Sequence, residues 1–270
     1  MRGPSKDVLE RVYGEDAAEA SQRFEGVARG FEDSFGVAGV EYFSSPGRVE
    51  IIGNHTDHNG GRRLAASVTR DAICAAAPSG DDTVRIVSEG YRDPIVVSVS
   101  ELSEKPAGTG SAALVAGMLV AAKAQGFAVG GFDAYVSTRV VSSAGISSSA
   151  SFEMLVGEVV NHLFNGDRMT VADRARMGQY AENHFWNKAS GLMDQMACAT
   201  GGTVLLDFSQ GVSCEKVDFS FDDLGYDLVL VNTGTGHADL SEEYSSVPLE
   251  MRSVAHVLGV DVLAESSEDA

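Results

Sequence analysis

Ser142-Ser143-Ala144-Gly145-Ile146-Ser147-Ser148-Ser149 joins an alternating strand pattern, Phe132, Ala134 and Val136, to the clearest helix pattern in the chain. In that helix Phe152, Leu155, Val156, Val159, Val160, Leu163 and Phe164 recur at i, i+3, i+4 and i+7, and Asn165-Gly166 closes it. A loop of small residues at a helix N-terminus has the parts of an anion cradle. The first turn offers unpaired N–H groups and about half a positive charge, and the serine hydroxyls add donors. An ordinary serine N-cap needs one such hydroxyl, whereas this loop holds five serines. On its letters alone the loop fits either reading. It is not a Walker-type loop, because GxxxxGK[ST] occurs nowhere in the chain, and Gly108-Thr109-Gly110 lacks the preceding strand of a dinucleotide fingerprint.

Working outward, residues 7–12 and 17–35 read as charged amphipathic helices. Strand-like runs follow at 48–52, 68–77, 83–87 and 95–99. Ser79-Gly80-Asp81-Asp82 reads as a hairpin turn, which predicts an antiparallel front to the sheet. An Ala-rich helix pattern over 111–125 stops at Gly126. Beyond the loop, Thr170 and Asp173 resemble a capping box that opens a helix running to about residue 185, and strands are expected at 203–208 and 227–232. The mix is α+β rather than alternating βαβ, without repeats or linkers, and residues 265–270 read as a solvated end.

With 270 residues, 44% of them hydrophobic, the chain can bury a substantial core. A formal net charge of -19 repels nucleic acid and anionic membrane surfaces, so local cations must hold any anionic ligand. The N-terminus has no apolar leader and no run reaches membrane-spanning length; a soluble cytoplasmic protein is the expectation. Cys74, Cys198 and Cys214 show no CxxC spacing and read as free thiols rather than a disulfide framework or zinc site.

Gly47-Arg48-Val49-Glu50-Ile51-Ile52-Gly53-Asn54-His55-Thr56-Asp57-His58-Asn59-Gly60-Gly61 packs many hydrogen-bonding side chains into one strand-to-loop passage. That density suits a polyhydroxylated ligand, since each buried unpaired polar group costs on the order of 1–3 kcal/mol. Asn54, His55 and Asp57 are the candidate partners. A metal at His55, Asp57 and His58 is conceivable, but no third soft ligand lies nearby and a polar turn explains the letters as well. Farther on, Gly191-Leu192-Met193-Asp194-Gln195-Met196 sets an acid in apolar company after a helix carrying Glu182. Alone, Asp194 would read as a helix cap.

Taken together and in this order, residues 47–61, 145–150 and 191–195 closely resemble the first two motifs and the catalytic-aspartate segment of galactokinases in the GHMP kinase superfamily, and the similarity runs over about residues 42–260. The resemblance implies a two-domain GHMP kinase fold, α+β, whose N-terminal domain is ribosomal protein S5 domain 2-like, with a mixed sheet and helices. Residues 1–208 would form that domain, and residues 209–270 only the opening strand and helix of a C-terminal domain that continues in the family to a glycine-rich third motif. It implies ATP over Ser143, Gly145, Ser147, Ser148 and Ser149, and phosphorylation of galactose at its anomeric hydroxyl. Asp194 matches the catalytic aspartate and Arg48 the arginine beside it; Glu182 and Ser149 match the residues that hold Mg²⁺. Asn54, His55 and Asp57 match sugar-contact positions, and Tyr244 resembles a tyrosine across the site.

The family commonly reads Glu-His-Thr-Asp-Tyr where this chain reads Asn54-His55-Thr56-Asp57-His58, so another galactose-like sugar stays open. Asn donates as well as accepts where Glu only accepts. A non-catalytic sugar and ATP sensor of the same family is the competing reading; the intact loop and both acidic positions favour the enzyme. His55-Thr56-Asp57 argues against a kinase for mevalonate or homoserine. The expected partner is a small sugar, with no nucleic acid or membrane, and the sequence sets no oligomeric state.

Overall fold

Residues 72–77 read Ala-Ile-Cys-Ala-Ala-Ala, an apolar run without alternation, and a strand of that kind needs cover on both faces. In the computed structural model, which describes residues 3–36, 39–54, 56–105, 110–142, 144–186, 188, 190–231 and 241–267, it gets it. The run lies in β2 (Arg62–Pro78), at the centre of a seven-stranded mixed sheet. The C-terminal half of β2 pairs antiparallel with β5 (Phe132–Thr138) and its N-terminal half with β6 (Thr203–Asp207). β1 (Glu41–Ile52) runs antiparallel along its other edge. β3 (Thr83–Ser88) joins β5 in parallel, β4 (Ile95–Ser98) joins β3, and β7 (Ser213–Val217) joins β6, so the sheet takes strands from both sides of residue 208.

On one face Ile73, Ala75 and Ala77 pack under α1 (Lys6–Tyr13) and α2 (Ala17–Phe35), through Leu9, Phe24, Val27 and Phe31. On the other, Cys74 and Ala76 join Ile86, Phe132 and Val136 beneath α3 (Gly110–Ala124), α4 (Ser148–Asn165) and α5 (Val171–Phe185). The alanines keep both helical layers close to the strand. α6 (Met193–Thr200) sets Met193, Met196 and Ala197 on Ala65, Val204 and Leu206 of β2 and β6. α7 (Ser241–Val257) reaches back to the loop after β1 through a contact of Met251 with Asn59. Thr170 and Asp173 form the expected capping box, and α4 ends at Gly166 in a left-handed conformation. Among the described residues no helix is long and apolar enough to cross a membrane.

Two expectations need correction. The turn at residues 79–82 is not a hairpin, because β5 enters between β2 and β3. The Ser79 N–H donates to the Gly131 carbonyl at 3.0 Å, and a Cβ at Gly131 would overlap the Asp81 carbonyl, so a residue without a side chain lets β5 begin inside the turn. The strand expected at 227–232 is also missing: residues 227–231 carry no regular structure, and residue 232 lies outside the described ones. Leu228, Val229, Leu230 and Val231 form a continuous apolar run with strand letters, but a strand forms only beside a neighbour, and among the described residues none pairs with it.

Candidate active site

β1 delivers Arg48 to the serine-rich loop because the chain there has no side chain at Gly47. A Cβ at that position would stand 2.7 Å from the Ile146 carbonyl, the same carbonyl that accepts the Arg48 N–H at 3.1 Å. Gly145 (φ +75°) and Ser147 (φ +53°) turn the loop into α4 through left-handed conformations. Ser147 occupies the N-cap position of α4 yet makes no capping hydrogen bond. Its hydroxyl donates instead to Asp194 Oδ2 at 2.6 Å. The first turn of α4 is thus left without a side-chain cap, with Ser147, Ser148 and Ser149 lining a cleft.

Asp194 stands in the first turn of α6 and meets Arg48 in a two-point grip, Nε to Oδ1 at 2.9 Å and Nη2 to Oδ2 at 2.6 Å. Arg48 Nη1 donates to the Gly145 carbonyl at 2.8 Å, tying guanidinium, loop and carboxylate into one unit. Burial would lift the Asp194 carboxyl, but the Arg48 charge and hydrogen bonds, and then the Ser147 hydroxyl, hold it below the ordinary carboxylate range. It is a charged acceptor with 28% of its side chain exposed.

α5 presents Glu182, whose side chain is 2% exposed and accepts from Lys188 Nζ at 2.7 Å and Gln195 Nε2 at 3.3 Å. Gln195 also donates to Glu153 of α4 at 3.0 Å, so one amide bridges two buried acids. Burial and then the Glu182 charge hold Glu153 well above the carboxylate range, favouring its protonated form. The connection from α5 to α6 is pinned to α5: Asn183 Oδ1 accepts the Ser190 N–H at 2.7 Å, and the Lys188 N–H donates to the Glu182 carbonyl at 3.0 Å. Asp57, in the loop after β1, ion-pairs with the buried Arg63, whose Nη1 lies 3.8 Å from Glu50.

These groups converge on one cleft of about 1250 Å³. Of the residues singled out from sequence, Arg48, Asp57, Gly145, Ser147, Ser148, Ser149, Glu182 and Asp194 line it. Asn54 does not: it is exposed, at φ +48°, and absent from the lining. His55 and Ser143 lie outside the described residues, and Tyr244 falls on α7 with its side chain outside them. Lys188, Arg63 and Glu153 escaped the sequence reading. Glu153 carried a signal, since it shares a helical face with Val156, Gly157 and Val160, where a charge is out of place. Lys188 carried none. The lining also has an apolar and aromatic share, with Ile95, Leu114, Phe152, Trp186 and Tyr91.

Two family models match: the galactokinase galactose-binding signature over residues 29–78 and the GHMP kinases N-terminal domain over residues 113–202. A galactokinase of Limosilactobacillus fermentum is 32% identical over 253 residues, covering 88% of this chain and 63% of that protein. One from Lactococcus lactis subsp. lactis is 34% identical over 218 residues, covering 79% and 54%. Among solved structures, a Lactococcus lactis galactokinase complexed with galactose superposes with a TM-score of 0.77 at 29% identity, over 91% of this chain and 65% of that one. The mevalonate kinase of Methanococcus jannaschii, at 15% identity and a TM-score of 0.59, shares the fold. The chain thus spans about half to two thirds of the length of these relatives. The two matched segments contain β1 with Arg48 and the α4–α6 region with Asp194, the halves of the ion pair at the cleft, so the chain carries the galactokinase galactose-binding signature together with the N-terminal domain of the GHMP kinases.

Proposed function

We propose that this chain supplies the nucleotide and sugar sites of an ATP-dependent, cytoplasmic galactokinase that phosphorylates galactose at its anomeric hydroxyl. The observation that carries the reading is the Arg48–Asp194–Ser147 unit at the open N-terminus of α4. Asp194 accepts the hydrogen bond, and then the proton, of the sugar's C1 hydroxyl. The C1 oxygen attacks the terminal phosphorus of ATP, the bond to the bridging oxygen breaks, and ADP leaves. Arg48 keeps Asp194 ionised and lies close enough to offset charge on the transferring group.

The uncapped α4 turn with Ser143, Gly145, Ser147, Ser148 and Ser149 cradles phosphates, and the apolar and aromatic lining takes the adenine. Asp57, with Asn54, His55 and Tyr244, contacts the sugar; the exposed position of Asn54 would require the loop to close on it. Glu182 and Ser149 are hard oxygen donors and fit Mg²⁺. Such an ion takes few protein oxygens and completes its shell from phosphate and water. Bound there, the ion would neutralise phosphate charge. The proposed domain division puts residues 1–208 in the N-terminal domain, with the sugar motif and the phosphate loop, and residues 209–270 at the start of the C-terminal one, β7 being the strand by which the second part joins the sheet of the first. Calorimetric titration with galactose, glucose and N-acetylgalactosamine, with and without MgATP, tests the reading. Galactose and MgATP should both bind; binding of neither overturns it.

A further inference from the structure

The cleft wall carries three cations among the described residues, and two are committed. Arg48 is held by two hydrogen bonds to Asp194 and one to the Gly145 carbonyl, and its side chain is 10% exposed. Arg63 is wholly buried, between Asp57 and Glu50. Lys188 differs from both. Among the described residues its ammonium makes one side-chain hydrogen bond, to Glu182 Oε1, and its side chain, on the cleft lining, is 50% exposed. At 2.7 Å from the Glu182 carboxylate, the ammonium is the cationic half of an ion pair. A triphosphate brings about four negative charges into a chain whose formal net charge is -19. A long side chain with one hydrogen-bond partner among the described residues can move to meet them; a forked and buried guanidinium cannot.

Resting on the proposed nucleotide site, we propose that Lys188 is a phosphate-contacting residue that trades partners: it neutralises Glu182 in the empty cleft and moves to the nucleotide phosphates when they arrive, releasing Glu182 to a divalent cation. Lys188 and the cation then compete for one carboxylate before nucleotide binds and cooperate afterwards. The exchange explains a buried acid on the cleft wall that is neutralised by a half-exposed lysine.

Three measurements on the chain test this. In Lys188→Met, MgATP affinity should fall about tenfold while adenosine affinity stays unchanged, and Lys188→Arg should restore most of the loss. With no nucleotide present, Mn²⁺ should bind Lys188→Met more tightly than the parent, read by electron paramagnetic resonance. The third needs no variant and stands even where Lys188→Met fails to fold: MgATP, but not adenosine, should protect Lys188 from acylation in a mass-spectrometric footprint. Equal losses for ATP and adenosine, weaker Mn²⁺ binding or an unprotected Lys188 would each overturn the exchange. A parent chain that binds neither ATP nor adenosine would instead remove the nucleotide site itself, and the exchange with it.

Discussion

Gly191 lies so close against Asp57 that a Cβ at position 191 would overlap the Oδ2 atom of that carboxylate. The contact joins the α5–α6 connection, which leads to Asp194, to the loop after β1. Arg63 holds Asp57 from the other side, and a Cβ at Gly53 would press on the Arg63 side chain at 2.7 Å. Two glycines and a buried guanidinium therefore fix where Asp57 stands.

Gly191→Ala should displace the Asp57 carboxylate or push residues 190–192 outward. Its expected effect is a loss of sugar affinity of tenfold or more with MgATP affinity nearly unchanged, at a stability cost of about 1–3 kcal/mol for overpacking. Titration with each ligand and a urea melt check it; equal loss of both ligands would show a general collapse of the cleft rather than a displaced Asp57.

Asp194→Asn keeps the shape of the side chain but removes its charge and its capacity to take a proton. In the proposed galactokinase, phosphoryl transfer should fall by about 10²–10⁴, the range for removing a positioned base, while galactose still binds. Arg48 loses its ionic partner in the same variant. Stability should drop on the order of 2 kcal/mol, below the ~3–5 kcal/mol of a fully buried pair because the Asp194 side chain is 28% exposed. Turnover within a few-fold of the parent would take Asp194 out of the role.

The helices and most strands were legible because burial follows period. α4 has its apolar residues at helical spacing, and the all-apolar run in β2 is buried on both faces. Pairing was not legible. Ser79-Gly80-Asp81-Asp82 has hairpin letters, and only the later glycine at 131 lets another strand slip in. β7 was missed because Ser213-Cys214-Glu215-Lys216-Val217 is an edge strand with polar, largely exposed residues and no apolar face to announce it. In the cleft the motif residues could be named, but their supports Arg63, Glu153 and Lys188 owe their places to tertiary contacts between segments far apart in the chain.

Glu153 makes stability depend on pH in a set direction. Its folded carboxyl titrates above the ordinary value of 4.5, so the folded state holds a proton that the unfolded chain has released, and stability falls as pH rises from that value towards the folded one. Glu153→Gln removes this titration while leaving an acceptor for Gln195. The variant should gain on the parent as pH rises, with a slope of at most about 1.4 kcal/mol per pH unit. Urea melts at pH 5 and pH 8 give the difference, and a constant gap between the two proteins would place the proton elsewhere.

Gly117 shows how helix packing reaches the site. A Cβ on it would stand 2.8 Å from the Phe185 ring and 2.9 Å from Ala181 Cα, so α3 and α5 touch backbone to backbone at the residue before Glu182. Gly117→Ala has two opposed effects: better helix propensity by about 1 kcal/mol, and overpacking that costs about 1–3 kcal/mol. The clash falls on a backbone atom that cannot swing away, so overpacking wins and the net is destabilising. Because α5 must shift to make room, Glu182 moves with it. Mg²⁺-dependent nucleotide affinity should therefore weaken more than nucleotide affinity measured with EDTA. A variant that loses stability but keeps the same Mg²⁺ dependence would show that α5 carries Glu182 without setting its position.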